Sequence, residues 1–230
     1  MQFGFEFKGE TSKSYGVYVE KRPAVPGRTR KTEYVEVSGR DEPLTVQDSG
    51  YGNVTIPVTC AYRVPEERWH EKRREILQWL SGSGKLIFSD SPDTFFSVKE
   101  ITIDKFERTI KKYGKFQANF ICSPFEYLME GQEEKAAKEV AWNPYTAARP
   151  VYIITGSGKC TLKVNGKSME ATVGHKLYID CEKMMSYEED GILQNTTVKG
   201  DYEDLILKNG ENTVTVSSGF ELKVIPNWRY

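Results

Sequence analysis

The chain has 230 residues, of which 38% are apolar, 12% aromatic and 28% charged, a balance suited to a globular body with a real core. With 32 basic and 33 acidic residues the formal net charge is −1, so no global field draws it to nucleic acid or to an anionic bilayer. No run approaches the ~20 apolar residues of a spanning helix, and MQFGFEFKGE has no basic segment followed by an apolar core, so neither membrane insertion nor a signal peptide is expected.

Strand signals dominate from the start. FGFEF puts Phe3, Phe5 and Phe7 on one face, and YGVYVE follows as a second strand. RPAVPGRTRK (22–31) carries two prolines, a glycine and four basic residues, and reads as an extended, exposed arm. Its Arg22, Arg28, Arg30 and Lys31 suit a reach to a neighbouring subunit or an acidic surface; an ordinary solvated loop is the plainer reading. NVTIPVTCAYRV alternates cleanly, with Val54, Ile56, Val58, Cys60, Tyr62 and Val64 on one face. Pro57 cannot donate to a ladder, so this strand should lie at an edge or carry a bulge. A helix is expected next. Pro65 opens it, Glu66 and Glu67 suit its positive end, and Trp69, Ile76, Leu77 and Leu80 form its apolar stripe. Gly82 fits just past its C-terminus.

KLIFSD and TFFSVKEITI are read as strands, and KFQANFIC alternates again through Phe116, Ala118, Phe120 and Cys122. The composition then turns polar at LMEGQEEKAAKEVA, which reads as a partly helical linker. This divides the chain into an N-terminal domain at 1–128, a linker at 129–142 and a C-terminal domain at 143–230. The second half is strand after strand, with Asn-Gly pairs at 165–166 and 209–210 predicting tight hairpins, and only CEKMMSYEEDG hinting at a helix. The fold class expected is mainly β: a sandwich or barrel-like N-terminal domain with one α-helix, then an antiparallel β-sandwich.

Two GSGK runs, at 82–85 and 156–159, raise the question of a phosphate loop. Both fail it, because Trp79 and Ile153 stand where the first glycine must be, and Leu86 and Cys160 where Ser or Thr must hold the metal. Both read as turns. WHEKRREI lacks the second histidine of a zinc-protease helix, with Arg74 in its place, and only His70 and His175 exist in the chain. Cys60, Cys122, Cys160 and Cys181 form no CxxC and read as buried, reduced thiols. No G-x-S-x-G elbow is present. Carboxylate pairs such as Asp180/Glu182 and Asp201/Asp204 read as solvated loops, although a glycosidase dyad that converges in space would not be visible here. Trp142, Tyr145 and Trp228 suit either a sugar-stacking platform or ordinary packing. No catalytic residue, metal site or cofactor is expected.

Several stretches together carry a family resemblance: VEVSGRDEPLTVQDSGYGNVTIPV, ILQWLSGSGKLIFSDSPDTFFSVKEI, YGKFQANFICSPFEYL, ARPVYIITGSGKCTLKVNG and GENTVTVSSGFELKVIPNWRY. The chain resembles the distal tail proteins of siphophages and related prophages of Gram-positive bacteria. That resemblance implies an N-terminal domain that builds a homo-hexameric ring at the tail tip. The C-terminal domain would be a galectin-like or carbohydrate-module-like sandwich outside the ring. The partners implied are the tail tube protein and tail-tip or baseplate proteins, with DNA only passing through the lumen. The implied location is the virion tail, assembled in the bacterial cytoplasm, and the arm at 22–31 becomes an inter-subunit contact. Two other functions stay open on the residues alone: carbohydrate binding through the C-terminal sandwich, and cell-wall glycoside hydrolysis.

Overall fold

A computed structural model describes residues 3–230, the side chains at 48–49 and 109–110 excepted. Contacts divide the chain into two units, Met1–Glu126 and Tyr127–Tyr230. The first holds β1 (Phe5–Phe7), β2 (Glu10–Thr11), β3 (Val17–Val19), β4 (Arg30–Val35), β5 (Leu44–Tyr51), β6 (Val54–Arg63), α1 (Trp69–Trp79), β7 (Gly84–Phe88), β8 (Ser91–Ile110) and β9 (Tyr113–Leu128), the last running across the division. Seven of these strands form one curled sheet in the order β2-β1-β7-β8-β9-β6-β3, while β4 and β5 pair only with each other.

The alternation at 54–64 does what its period dictates. Val54, Ile56, Val58, Cys60 and Tyr62 are buried while Thr55, Pro57 and Arg63 face outward. β9 pairs with β6 along its whole length, from Val54 against Cys122 to Arg63 against Tyr113, and sends Phe116, Ala118, Phe120 and Cys122 into the same core. β3 covers only Cys60–Tyr62, so Pro57 lies in a stretch with a sheet partner on one side. The helix begins one turn later than expected. Glu66–Arg68 form a 3-10 turn after Pro65, and α1 then buries Ile76 and Trp79, with Leu80 just beyond. Gly82 has φ +70°, as the turn out of the helix requires.

The second unit holds β10 (Lys135–Ala136), β11 (Trp142–Asn143), β12 (Val151–Thr155), β13 (Gly158–Val164), β14 (Lys167–Val173), β15 (Lys176–Asp180), β16 (Met185–Tyr187), β17 (Val198–Lys199), β18 (Gly210–Glu211), β19 (Val214–Val216) and β20 (Glu221–Ile225). A five-stranded sheet (β10-β20-β12-β15-β16) and a four-stranded sheet (β17-β14-β13-β19) share one core. Tyr152, Ile154, Leu177, Ile179 and Val224 of the first meet Leu162, Val164, Met169 and Val173 of the second. This is an antiparallel sandwich, the architecture that alternating strands without helices require.

Three local expectations are corrected. Residues 129–142 are not a free linker. Gly131 and Val140 are buried, β10 pairs with β20, and a Cβ at Gly131 would lie 2.5 Å from the Trp228 nitrogen. CEKMMSYEEDG is a turn followed by β16, not a helix. Asn165-Gly166 does make the expected tight hairpin between β13 and β14, both residues at positive φ. Asn209-Gly210 does not, because Gly210 enters β18, which pairs with β11, and β19 joins β13 instead. Asparagines decide that route. The Asn209 amide donates to the carbonyls of Asn143 and Tyr145. Fully buried Asn143 donates to Thr146 and Leu207 and accepts from the Tyr145 N–H. Asn212 accepts from the Lys208 N–H and the Asn165 amide, and donates to the carbonyls of Lys208 and Gly210. Every polar atom of that buried amide is thereby satisfied.

Candidate functional site

The arm's basic residues are exposed, and its three arginines also touch their own unit. Arg22 pairs with Asp90 at 3.1 Å and lies 5.2 Å from the Phe3 ring centroid. Arg28 lies 4.9 Å from Phe125 and 5.4 Å from Tyr51, two rings that meet edge to face at 5.4 Å. Arg30 opens β4 and lies 5.7 Å from Tyr51. Exposed ion pairs add little, about 1 kcal/mol or less, whereas guanidinium stacked on rings fixes direction as well as distance. These three arginines fasten the root of the arm to its own unit. Lys31 follows on the exposed part of β4.

What projects is the part the sequence reading missed. β4 and β5 form a two-stranded ribbon in which Val35 faces Leu44, Tyr34 faces Thr45 and Glu33 faces Val46. Apart from Thr32, every residue from Arg30 to Gln47 is exposed. Tyr34 is 68% exposed, and Val35, Val37, Leu44 and Val46 are each more than two-fifths exposed. Directly opposed residues share a face, so Glu33, Val35, Leu44 and Val46 lie on one side and Thr32, Tyr34, Thr45 and Gln47 on the other. The available signal was YVEV and LTV on either side of SGRDEP, a polar turn with Gly39 at φ +85°.

The proposed sugar platform does not assemble. Trp228 is 4% exposed and belongs to the second unit's core. Tyr145 is half-buried and donates its hydroxyl to Glu130. Its ring meets Trp228 at 6.2 Å and Tyr230 at 5.2 Å, tilted 49° and 79°, not coplanar. Trp142 is 61% exposed on β11. Stacking on a sugar needs open, level ring faces, and only Trp142 offers one.

Both GSGK runs are turns: the first leads from α1 into β7, the second joins β12 to β13. Asp180 is buried and its carboxylate accepts the N–H groups of Glu182 and Lys183, capping a turn. All four cysteines are buried. Burial pushes the Cys60 and Cys122 thiols up to about 12 and raises those of Cys160 and Cys181. A thiol-reactive disulfide reagent at pH 8 should therefore label none of the four in the folded protein and all four in denaturant; rapid labelling of the folded chain would contradict this burial. Among the described residues, no three His, Cys, Asp or Glu side chains group as metal ligands, and no helix is long and apolar enough to cross a membrane.

Residues 11–122 match the family model of the phage tail protein RIFT-related domain. The first unit is a phage tail domain of that family. The match covers α1, the β4–β5 ribbon and the β6–β9 pair that organises the core. The fold of the entire chain is similar to the crystal structure of the SPP1 Dit protein, described as a paradigm of the hub adsorption apparatus in phages infecting Gram-positive bacteria. The likeness covers 97% of this chain and 98% of that one with a TM-score of 0.67, at 12% sequence identity. No curated protein matches the chain by sequence.

Proposed function

We propose that the chain is a structural protein of a phage tail, a distal-tail hub that closes with five further copies of itself into a ring between tail tube and tail tip. The phage tail domain and the whole-chain likeness to a hub protein support that role. The observation that carries it is the β4–β5 ribbon. An isolated pair of strands is marginal in water, and this one exposes Tyr34, Val35, Val37, Leu44 and Val46 while its root is tied down by Arg22, Arg28 and Arg30. Such a ribbon belongs against another copy. Head-to-tail closure gives each subunit two different contact surfaces, one of them the ribbon.

In this reading the second unit is a galectin-like sandwich on the outside of the ring. The lumen passes DNA without holding it, which a net charge of −1 suits. The chain works by shape and contact, and its partners are the tube and tip proteins of an infectious phage or a related prophage. Light scattering on the purified protein should give a particle near six times the 26.3 kDa chain mass, and negative-stain images should show rings. A single-chain mass at every concentration tested would overturn the ring.

A further inference from the structure

The outer faces of the second unit's two sheets differ. On the five-stranded sheet the face is filled by its own side chains: Tyr178 and Tyr187 stack at 5.2 Å and 3°, and Ile153, opposed to Tyr178 and Lys223, is 1% exposed. The four-stranded sheet turns Lys159, Thr161, Lys163, Ser168, Glu170 and Thr172 outward from β13 and β14, every one charged or hydroxylated. Across that face lies a groove of about 630 Å³, with Thr161, Glu170 and Thr172 in its floor. The 3-10 turn Asn195–Thr197 and Lys199 of β17 line one side, and Ser217, just after β19, lines the other. Gly200 sets the first of these walls. It follows β17 at φ +142°, and a Cβ there would lie 3.1 Å from the Met169 Cα and from the Ser168 carbonyl oxygen, so glycine lets the chain lie this close to β14.

The lining offers both donors and acceptors. Ser217 Oγ accepts the Thr161 N–H at 2.8 Å, so its own hydroxyl hydrogen is turned to other acceptors. Thr197 does the reverse, donating to the Gln194 carbonyl at 2.8 Å and keeping its oxygen lone pairs. Among the described residues, the second unit's ion pairs use Lys167, Lys176, Lys183, Lys223 and Arg229, and leave out Lys159, Lys199 and Glu170. Glu170 and Lys199 are directly opposed on β14 and β17. Lys159 and Lys199 stand two strands and two residues apart, about 12 Å between backbones at ~4.8 Å per strand and ~3.4 Å per residue.

We propose that this groove binds a polyol phosphate chain, in which hydroxylated carbon units are joined by phosphodiesters. The two ammoniums are compact point charges and take up phosphates of successive units. The hydroxyls of Thr161, Thr172 and Ser217 and the Glu170 carboxylate pair with the ligand hydroxyls between those phosphates. Glu170 also disfavours a ligand charged at every position, such as inorganic polyphosphate. No aromatic ring lines the groove, so neither a pyranose nor a nucleic-acid base gains a surface to stack on. The site lies within one chain and needs no ring.

Calorimetric titration with a short synthetic glycerol phosphate oligomer at low salt tests this. The oligomer should bind, and its affinity should fall as salt is added. Lys159→Gln and Lys199→Gln should each weaken binding about fivefold, and together more than about tenfold. Lys223→Gln, on the opposite sheet, should leave the affinity unchanged, and all of these exposed substitutions should keep the wild-type melting temperature. Inorganic polyphosphate and a chitin oligosaccharide should each bind at least about tenfold less tightly than the oligomer. Four results would overturn the proposal: no heat at any oligomer concentration, an unchanged affinity in the double variant, polyphosphate bound as tightly, which makes the groove a plain cationic patch, or the oligosaccharide bound as tightly, which makes it a sugar site. None of these bears on the ring, and a chain that never forms rings leaves the titration equally decisive.

Discussion

Replacing Trp79 with alanine is expected to lower the stability of the first unit by about 3–5 kcal/mol, the cost of deleting a large buried ring and leaving its cavity. The residue ends α1 and is 6% exposed. Its ring is the middle of a three-ring stack. Tyr15 lies parallel on one side at 4.3 Å and 6°, and Phe5 on the other at 5.4 Å and 8°. Its indole N–H donates to the Phe7 carbonyl at 3.3 Å. One side chain thus joins the helix, the first strand and the loop before β3. Trp79→Phe keeps a ring in the stack but loses the hydrogen bond to the Phe7 carbonyl, and should cost about 1–3 kcal/mol. Gln78→Ala, exposed on the same turn, should stay within about 0.5 kcal/mol. Urea unfolding would rank the three by midpoint at unchanged slope. Equal midpoints for Trp79→Ala and Gln78→Ala would show that the stack does not hold the unit together.

How far the sequence could be read depended on whether each segment faces a difference between inside and outside. β6 and β9 were legible because one face of each meets the core and the other meets water, so the period of two is written into Val54–Tyr62 and Phe116–Cys122. The β4–β5 ribbon has no such contrast. Both faces are exposed in one copy, so its residues carry no burial alternation, and only the turn chemistry around Gly39 marks it. The contacts that the arm's arginines make within their own unit could not be read, since Asp90 and Phe125 are distant in sequence and only the fold brings them close. Segment 129–142 misled by composition. It is polar by count, but Leu128, Gly131 and Val140 are the residues that pack, at a spacing set by short 3-10 turns and not by any regular period. The aromatic trio failed for a similar reason. Composition says that Trp142, Tyr145 and Trp228 are large, not that the third points into the core.

Removing the projecting ribbon should separate folding from assembly. Replacement of residues 33–46 by a short Gly-Ser turn leaves Arg22, Arg28 and Arg30 on their rings and acids and takes nothing from the first unit's core cluster. The shortened chain should therefore unfold at nearly the wild-type temperature, since its core is intact and the deleted ribbon was marginal by itself. It should also scatter light as a single chain under conditions in which the full-length protein, on the proposed function, scatters as a ring. A milder pair, Val35→Asp with Leu44→Asp, sets like charges directly opposite on the apolar face and should weaken assembly most at low salt, where their repulsion is least screened. The two outcomes are linked by one physical argument. Apolar side chains on a ribbon outside the core contribute nothing to the isolated fold, so what they stabilise must be a contact with another molecule. A ribbon-less chain that still closes into rings would mean that the contact surface lies elsewhere, and the exposed valines would need a different partner.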